Sequence, residues 1–149
     1  EYYALPLPKT TGREHFGTQY TGRLFDYARG HGLTADDLAA TATELTAWSI
    51  ADAYERYVMP KYRASELIVG GGGSYNPTLL AALSRRMNAL GVKVRTQEEL
   101  GFSSDAKEAV AFAIMGDRYM AGLTNTLPSV TGAAHAAIMG KLSLPANAR

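Results

Sequence analysis

Four consecutive glycines, Gly70 to Gly73, restrict what this chain can fold into more than any other feature. Glycine in regular structure costs roughly 0.5–1 kcal/mol of backbone entropy relative to alanine, so such a run belongs in a loop. Immediately before it, Glu66-Leu67-Ile68-Val69 has the pattern of a short buried strand. Shortly after it, Asn76-Pro77 opens a helix, with Asn76 as the cap and Pro77 at the first helical position. A strand running through a flexible loop into a capped helix predicts an α/β unit with the loop at a sheet edge.

Such a loop has two uses. It can make a tight turn, or it can let a ligand approach a main chain that carries no Cβ, beside helix-start N–H groups that favour phosphate or a polar ring edge. Two glycines would serve a turn, and the longer run favours a ligand over a turn. The spacing is that of a nucleotide site in general. It is not a Walker A loop, because no Gly-Lys-Ser/Thr follows, and it is not the dinucleotide fingerprint.

The remaining elements follow from local signals. Leu5-Pro6-Leu7-Pro8 suits an extended edge segment leading into a turn. A short helix or loop is expected through Leu24 to Ala28, ended by Gly30 and Gly32. Thr34 and Asp37 form the two halves of a capping box for a long helix from about Ala35 to Val58, stopping before Pro60. That helix has two apolar faces, Leu38/Ala42/Leu45/Ser49 and Ile50/Tyr54/Tyr57, as expected of a helix wedged between a sheet and something else. The helix from Asn76 carries Leu79, Leu80, Leu83 and Met87 and ends before Gly91; Val92 to Thr96 is the next strand. A third helix is expected from Asp105, with Asp105 and Glu108 as a capping box, ending near Gly122. It carries one stripe of Ala106, Ala109, Val110, Ala113 and Ile114 and another of Phe112, Met115 and Tyr119. The tail from Leu123 is irregular, and its most structured part is Leu127 to Gly132. Strands alternating with helices indicate an α/β layered domain.

Composition narrows the function. At 149 residues the chain has the size of one domain. Its 46% hydrophobic and 19% charged residues are those of a globular protein rather than a disordered one. A net charge of +1 gives no electrostatic reason to expect nucleic acid or an anionic membrane as a partner, and no apolar run approaches the ~20 residues of a membrane span. There are no cysteines, and His15, His31 and His135 lack metal-ligand spacing. A cytoplasmic protein fits best, and the missing initiator methionine allows either processing or a fragment.

Outside the glycines, Lys9-Thr10-Thr11-Gly12-Arg13-Glu14 gathers two cations, two hydroxyls and a carboxylate around one glycine. Arg13 and Glu14 could hydrogen-bond a polyhydroxylated or acidic ligand, and Lys9 could meet a phosphate. On spacing alone a solvated turn is the favoured reading. His15 reads as a surface residue, and the pairs Tyr54/Tyr57 and Phe112/Tyr119 as packing. Nothing resembles a nucleophile with its base.

Taken together, five segments resemble one family. Pro8-Lys9-Thr10-Thr11-Gly12-Arg13-Glu14-His15-Phe16 resembles the Pro-Lys-Ser-Thr-Gly-Arg-Glu-x-Phe signature of anhydro-N-acetylmuramic acid kinases. Thr43 to Ala47 with Ser49 to Ala53 resembles their long helix, and Val69 to Pro77 their second-domain glycine loop. Ser104 to Ala113 is similar to their Asp-Ala-Lys-Glu-Ala helix, and Leu127 to Ala133 to their C-terminal signature. The matches run in family order over nearly the whole chain. Thr10 in place of Ser, one additional glycine and Tyr75 in place of a smaller or His-like residue are the departures.

The resemblance implies the C-terminal half, residues 1–149, of a two-domain sugar kinase. Its fold would be RNase H-like, of the actin-like ATPase group, with a mixed sheet flanked by helices. Such kinases use ATP and Mg2+ to open the 1,6-anhydro ring of their sugar with water while phosphorylating O6, giving N-acetylmuramic acid 6-phosphate. The first phosphate loop and the aspartate base belong to an N-terminal domain that this sequence does not contain, so the chain alone is expected to be inactive, with no catalytic residue and no metal ligand of its own. Gly71, Gly72, Gly73 and Asn76 would line the adenosine side of the cleft. Thr11, Gly12, Arg13 and Glu14 would lie near its floor, with Glu14 helping to hold the sugar. A homodimer is the family's habit. Another actin-like sugar kinase, or a non-catalytic nucleotide-binding domain, are the alternatives.

Overall fold

The computed structural model describes residues 2–7 and 9–144, which divide into two compact units with the boundary between Leu100 and Gly101. In the first, a single 3-10 turn at Tyr2–Ala4 precedes α1 (Arg13–Phe16), α2 (Thr18–Gly30) and α3 (Ala35–Ala53). There follow β1 (Glu66–Val69), a 3-10 turn at Gly72–Tyr75, α4 (Pro77–Ala89), β2 (Lys93–Thr96) and a 3-10 turn at Glu98–Leu100. The second unit holds α5 (Lys107–Met120) and α6 (Pro128–Thr131).

The predicted strand–loop–helix–strand unit is present. β1 and β2 pair in parallel, with Glu66 opposite Lys93 and Val69 opposite Thr96, and α4 is the crossover between them. Gly91, at φ +76°, follows the end of α4 and releases the chain into β2. Among the described residues the sheet has these two parallel strands, not the mixed arrangement expected. Leu5–Leu7, expected as an extended edge, form no strand, and Pro8 lies outside the described residues.

The core forms where α3 meets α4. Ala47, Ala51 and Tyr54, spaced four and three apart, are buried against Ala82, Leu83 and Met87, with Val92 entering from the start of β2. Alanines on both helices let the backbones approach closely, and Leu83 and Met87 fill the remaining space. The expectation of a helix wedged against a sheet is corrected here: the principal neighbours of α3 are α4 and α2. Leu38, Ala42 and Leu45 turn toward α2 and line an apolar groove of about 530 Å3 together with Phe16, Leu24 and Phe25. The segment around Leu24, expected as a short helix or loop, is the longer helix α2.

At its C-terminus α3 widens into a π-turn over Tyr54–Val58. The Tyr54 hydroxyl donates to the Ala64 carbonyl at 3.1 Å, so the ring stays in the core while its polar end is satisfied. Arg56 donates to the Tyr3 carbonyl at 3.1 Å and to Asp52 at 3.2 Å, tying the N-terminal segment to the helix end. At the other end of α3 the capping box is complete: Asp37 N–H donates to Thr34 Oγ1 at 3.1 Å, and Thr34 N–H donates to Asp37 Oδ2 at 2.8 Å.

In the second unit, the expected Asp105–Glu108 capping box is absent. The N-cap of α5 is Ala106, and its N–H donates instead to Ser103 Oγ at 3.2 Å. A serine in the turn before the helix satisfies the amide of the N-cap residue itself, one position before the helix begins. Of the two stripes on α5, the one with Met115 and Tyr119 receives the tail. Asn125 Nδ2 donates to the carbonyls of Met115 and Met139, its Oδ1 accepts from Met139 N–H, and the Tyr119 hydroxyl accepts from Leu142 N–H. On the other stripe, Val110 and Ile114 are more than half exposed.

Two predictions follow from the packing. Leu83→Ala leaves a cavity in the α3–α4 core and is expected to lower stability by about 2–5 kcal/mol in urea denaturation, whereas Val130→Ser on the surface stays within about 0.5 kcal/mol. Glu44 on α3 accepts from both Arg86, at 2.9 Å, and Arg85 on α4; these hydrogen bonds, Arg86 first, hold its carboxyl below the ordinary glutamate value. A folded-state pKa below the unfolded one stabilises fully above the unfolded value, and the contribution is lost as pH falls through the folded value. Denaturation curves across acid pH should therefore show a shallower loss of stability in Glu44→Gln than in the parent.

Candidate functional site

The glycine run separates into residues the turn requires and residues it does not. Gly71 lies at φ +97°, ψ 179°, a region that residues with a side chain rarely enter. A Cβ on Gly70 would run into the side chain of Gln97, which packs against that glycine from the end of β2. Gly72 and Gly73 are different. Neither has positive φ, a Cβ on Gly72 would meet nothing within 4 Å, and a Cβ on Gly73 would make an ordinary 3.6 Å contact with Leu79. The turn thus accounts for two glycines of the run and leaves two without an internal reason.

The loop is held firmly. The Gly71 carbonyl accepts from Ser74 N–H at 2.9 Å and from the buried Ser74 hydroxyl at 2.7 Å. Asn76 Oδ1 accepts from the N–H groups of Thr78 at 3.0 Å and Leu79 at 3.1 Å, which is the predicted helix cap. That commitment leaves the amide nitrogen as the part of Asn76 that could serve a ligand. Because the strands are parallel, the glycine loop and the turn after β2 emerge at the same carboxyl end of the sheet, where open α/β sheets bind their ligands.

The second predicted group sits on a different support. The Gly12 carbonyl accepts from the N–H groups of His15 and Phe16, so Gly12 is the N-cap position of α1. Arg13 lines an open groove with Thr18, Thr21 and Phe25. Glu14 and His15 are exposed and lie 3.7 Å apart, and Thr11 is exposed. A Cβ on Gly17 would strike the Arg13 carbonyl, so glycine is needed where α1 turns into α2. Lys9, expected as a possible phosphate contact, is engaged otherwise: its ammonium donates to the Tyr3 carbonyl at 2.9 Å and lies 5.2 Å from the Tyr2 ring centre. Tyr3 stacks edge-on against Trp48, and burial first, then the neighbouring Tyr20 and Tyr2, push its phenol pKa up. The structure therefore places Gly71–Asn76 in the loop that leads into α4, and Gly12–Glu14 at the start of α1, with local contacts in each.

Sequence reasoning did not find the contact across the glycine loop. The Tyr75 hydroxyl donates to Glu98 Oε1 at 3.2 Å, joining the loop after β1 to the turn after β2. An acidic residue two positions after the second strand of a strand–glycine loop–helix–strand unit was the available signal, and Tyr75 stood out only as a departure from a motif. Among the described residues no group of three or more His, Asp or Glu could hold a metal ion.

A parallel strand pair with a glycine loop ahead of a capped helix is an α/β arrangement of the class that offers ligand sites at the carboxyl ends of its strands. The family model for anhydro-N-acetylmuramic acid kinase matches residues 1–145, and the chain belongs to that family. It is 45% identical over 144 residues to the anhydro-N-acetylmuramic acid kinase of Caldanaerobacter subterraneus subsp. tengcongensis, covering 97% of this chain and 36% of the relative. It is 43% identical to that of Salinibacter ruber over 97% of this chain and 36% of the relative. For Streptomyces avermitilis the figures are 46%, 95% and 35%. The chain spans about a third of the length of these curated relatives.

Neighbouring glycines of the loop should differ in what their replacement costs. Gly71→Ala should lower stability by about 1–3 kcal/mol because it forces a side chain into a glycine-only conformation, whereas thermal melts of Gly72→Ala should match the parent.

Proposed function

We propose that this chain is the nucleotide-binding, C-terminal part of an ATP-dependent kinase that converts 1,6-anhydro-N-acetylmuramic acid to N-acetylmuramic acid 6-phosphate, a cytoplasmic step in the recycling of cell-wall sugars. One observation carries the reading: Gly72 has neither a positive φ nor a neighbour that a side chain would strike. At the carboxyl end of the parallel strands and ahead of a capped helix, glycine there leaves the main chain open to a ligand, and family membership names a kinase as the class.

In this reading the domain is RNase H-like, of the actin-like group, and works with an N-terminal domain supplied by the remaining length seen in the relatives. Gly71, Gly72, Gly73 and the Asn76 amide nitrogen line the adenosine side of the cleft, where the main chain can lie against the nucleotide without a Cβ between. Thr11, Gly12, Arg13 and Glu14 form the sugar side, and Arg13 contributes a planar, always-charged donor suited to the lactyl carboxylate or ring hydroxyls of the substrate. Magnesium accompanies the nucleotide on its phosphates, as it commonly does in kinases.

The chemistry is an addition of water to the anomeric carbon that opens the 1,6-anhydro bridge, with the freed O6 taking the γ-phosphoryl group and ADP leaving. Phosphoryl transfer of this kind depends on in-line positioning of acceptor and γ-phosphate more than on covalent help from the protein. The contribution of this chain is to hold the nucleoside end and one wall of the sugar site. The phosphate loop and the base are assigned to the other domain.

Calorimetric titration of ATP with magnesium into the chain, and into Gly72→Val, tests the reading. Binding weakened at least about tenfold, roughly 1.4 kcal/mol, in a variant with unchanged thermal stability supports it. Equal binding by parent and variant would remove the glycine loop from the nucleotide site.

A further inference from the structure

Parallel pairing sets the ends of β1 and β2 side by side, so the loop from Gly70 and the turn from Gln97 share one rim. The two are locked together. Gln97 N–H donates to the Val69 carbonyl at 2.9 Å, and the Gln97 side chain occupies the space that a Cβ on Gly70 would need. Beyond that lock, Glu99 N–H donates to Thr96 Oγ1 at 3.2 Å and closes the turn that carries Glu98. The Tyr75 hydroxyl then reaches across the rim to Glu98 Oε1 at 3.2 Å. Both side chains lie on the exposed side of the loop.

We propose that Glu98 is the ribose-binding residue of the nucleotide site and that Tyr75 is the positioning residue that orients it; this rests on the glycine loop being the nucleotide site. A carboxylate accepts at several lone-pair positions over two oxygens, so the hydrogen bond from Tyr75 aims it without exhausting it. The vicinal hydroxyls of ribose are donors of matching chemistry, and hydrogen bonds to an ionised acceptor are the strong ones. Charge sets the direction of the ligand. A carboxylate at this point repels a triphosphate, so the nucleoside end lies over Glu98 and the phosphates run away from it. The placement is the one used by dinucleotide folds, in which an acid after the second strand of a strand–glycine loop–helix–strand unit holds the ribose.

The proposal makes discrimination between ribose and 2′-deoxyribose a property of two named side chains. Steady-state kinetics of the full-length kinase with ATP and with 2′-deoxy-ATP measure it. The parent is expected to favour ATP by about tenfold in kcat/KM, as loss of one charged hydrogen bond implies. Glu98→Ala should bring that preference close to one by raising KM for ATP, with kcat at saturation little changed. Tyr75→Phe should give an intermediate preference, which a purely structural role for the tyrosine would not produce. Gly72→Val in the same assay separates the two levels of the argument. If it leaves KM for ATP unchanged, the glycine-loop reading fails and this proposal falls with it. If it raises KM while Glu98→Ala keeps the full preference, or if the parent shows none, the nucleotide site stands and the role of Glu98 is overturned.

Discussion

Everything that positions the candidate site depends on the parallel pairing of β1 with β2 through the crossover helix α4. Parallel strands cannot be joined by a tight hairpin, so the chain must leave β1, cross the sheet as a helix and return. That detour forces the loop after β1 to be short and to open directly into a helix start, which is where the glycines and Asn76 stand. It also brings Gln97 and Glu98 beside that loop although they lie more than twenty residues further along. The crossover helix is in turn held by α3 through Ala47, Ala51, Ala82, Leu83 and Met87. Core and site are therefore one construction: the face of α4 that packs on α3 sets the angle at which its N-terminus meets the rim.

The local chemistry of this construction was legible in the sequence. Glu66–Val69 is the strand, Asn76 is the cap and Thr34 with Asp37 is the complete capping box, because each is decided by residues within a few positions of one another. Where long-range packing decides, the sequence misled. The apolar residues of α3 announced two buried faces but not their partners: one was assigned to a sheet and the other left open, and α4 and α2 are the neighbours found. Asp105 had the right spacing for a cap, but α5 starts one residue later and the hydroxyl of Ser103 accepts from the Ala106 amide, which spacing alone does not reveal. Lys9 read as a phosphate contact or as one charge of a solvated turn; its partner is a main-chain carbonyl, which no side-chain pattern reveals.

The candidate site shows the same division. The glycine run was visible as a whole, yet the distinction within it was not: Gly70 and Gly71 answer to Gln97 and to a left-handed φ, while Gly72 and Gly73 answer to nothing inside the chain. The Tyr75–Glu98 bridge joins residues 23 apart and exists only once the strands are in register. Family membership accounts for the order of the motifs but carries no geometry, and the two predicted groups of residues rest on different helices.

The π-turn that ends α3 has a consequence for how this chain tolerates change. Tyr54 faces the core, while Arg56 and Tyr57 face the N-terminal segment, donating to the carbonyls of Tyr3 and Leu5. Each residue added to or removed from a helix rotates everything beyond it by about 100°. Deletion of Glu55 would keep a continuous helix and a plausible composition, yet it would swing Arg56 away from Tyr3, the residue whose carbonyl also holds Lys9 at the head of the Thr11–Glu14 turn. The segment thus acts as a phase setter: the number of residues in it decides where Arg56 and Tyr57 point, and length variation there is transmitted to a turn some forty residues earlier in the chain.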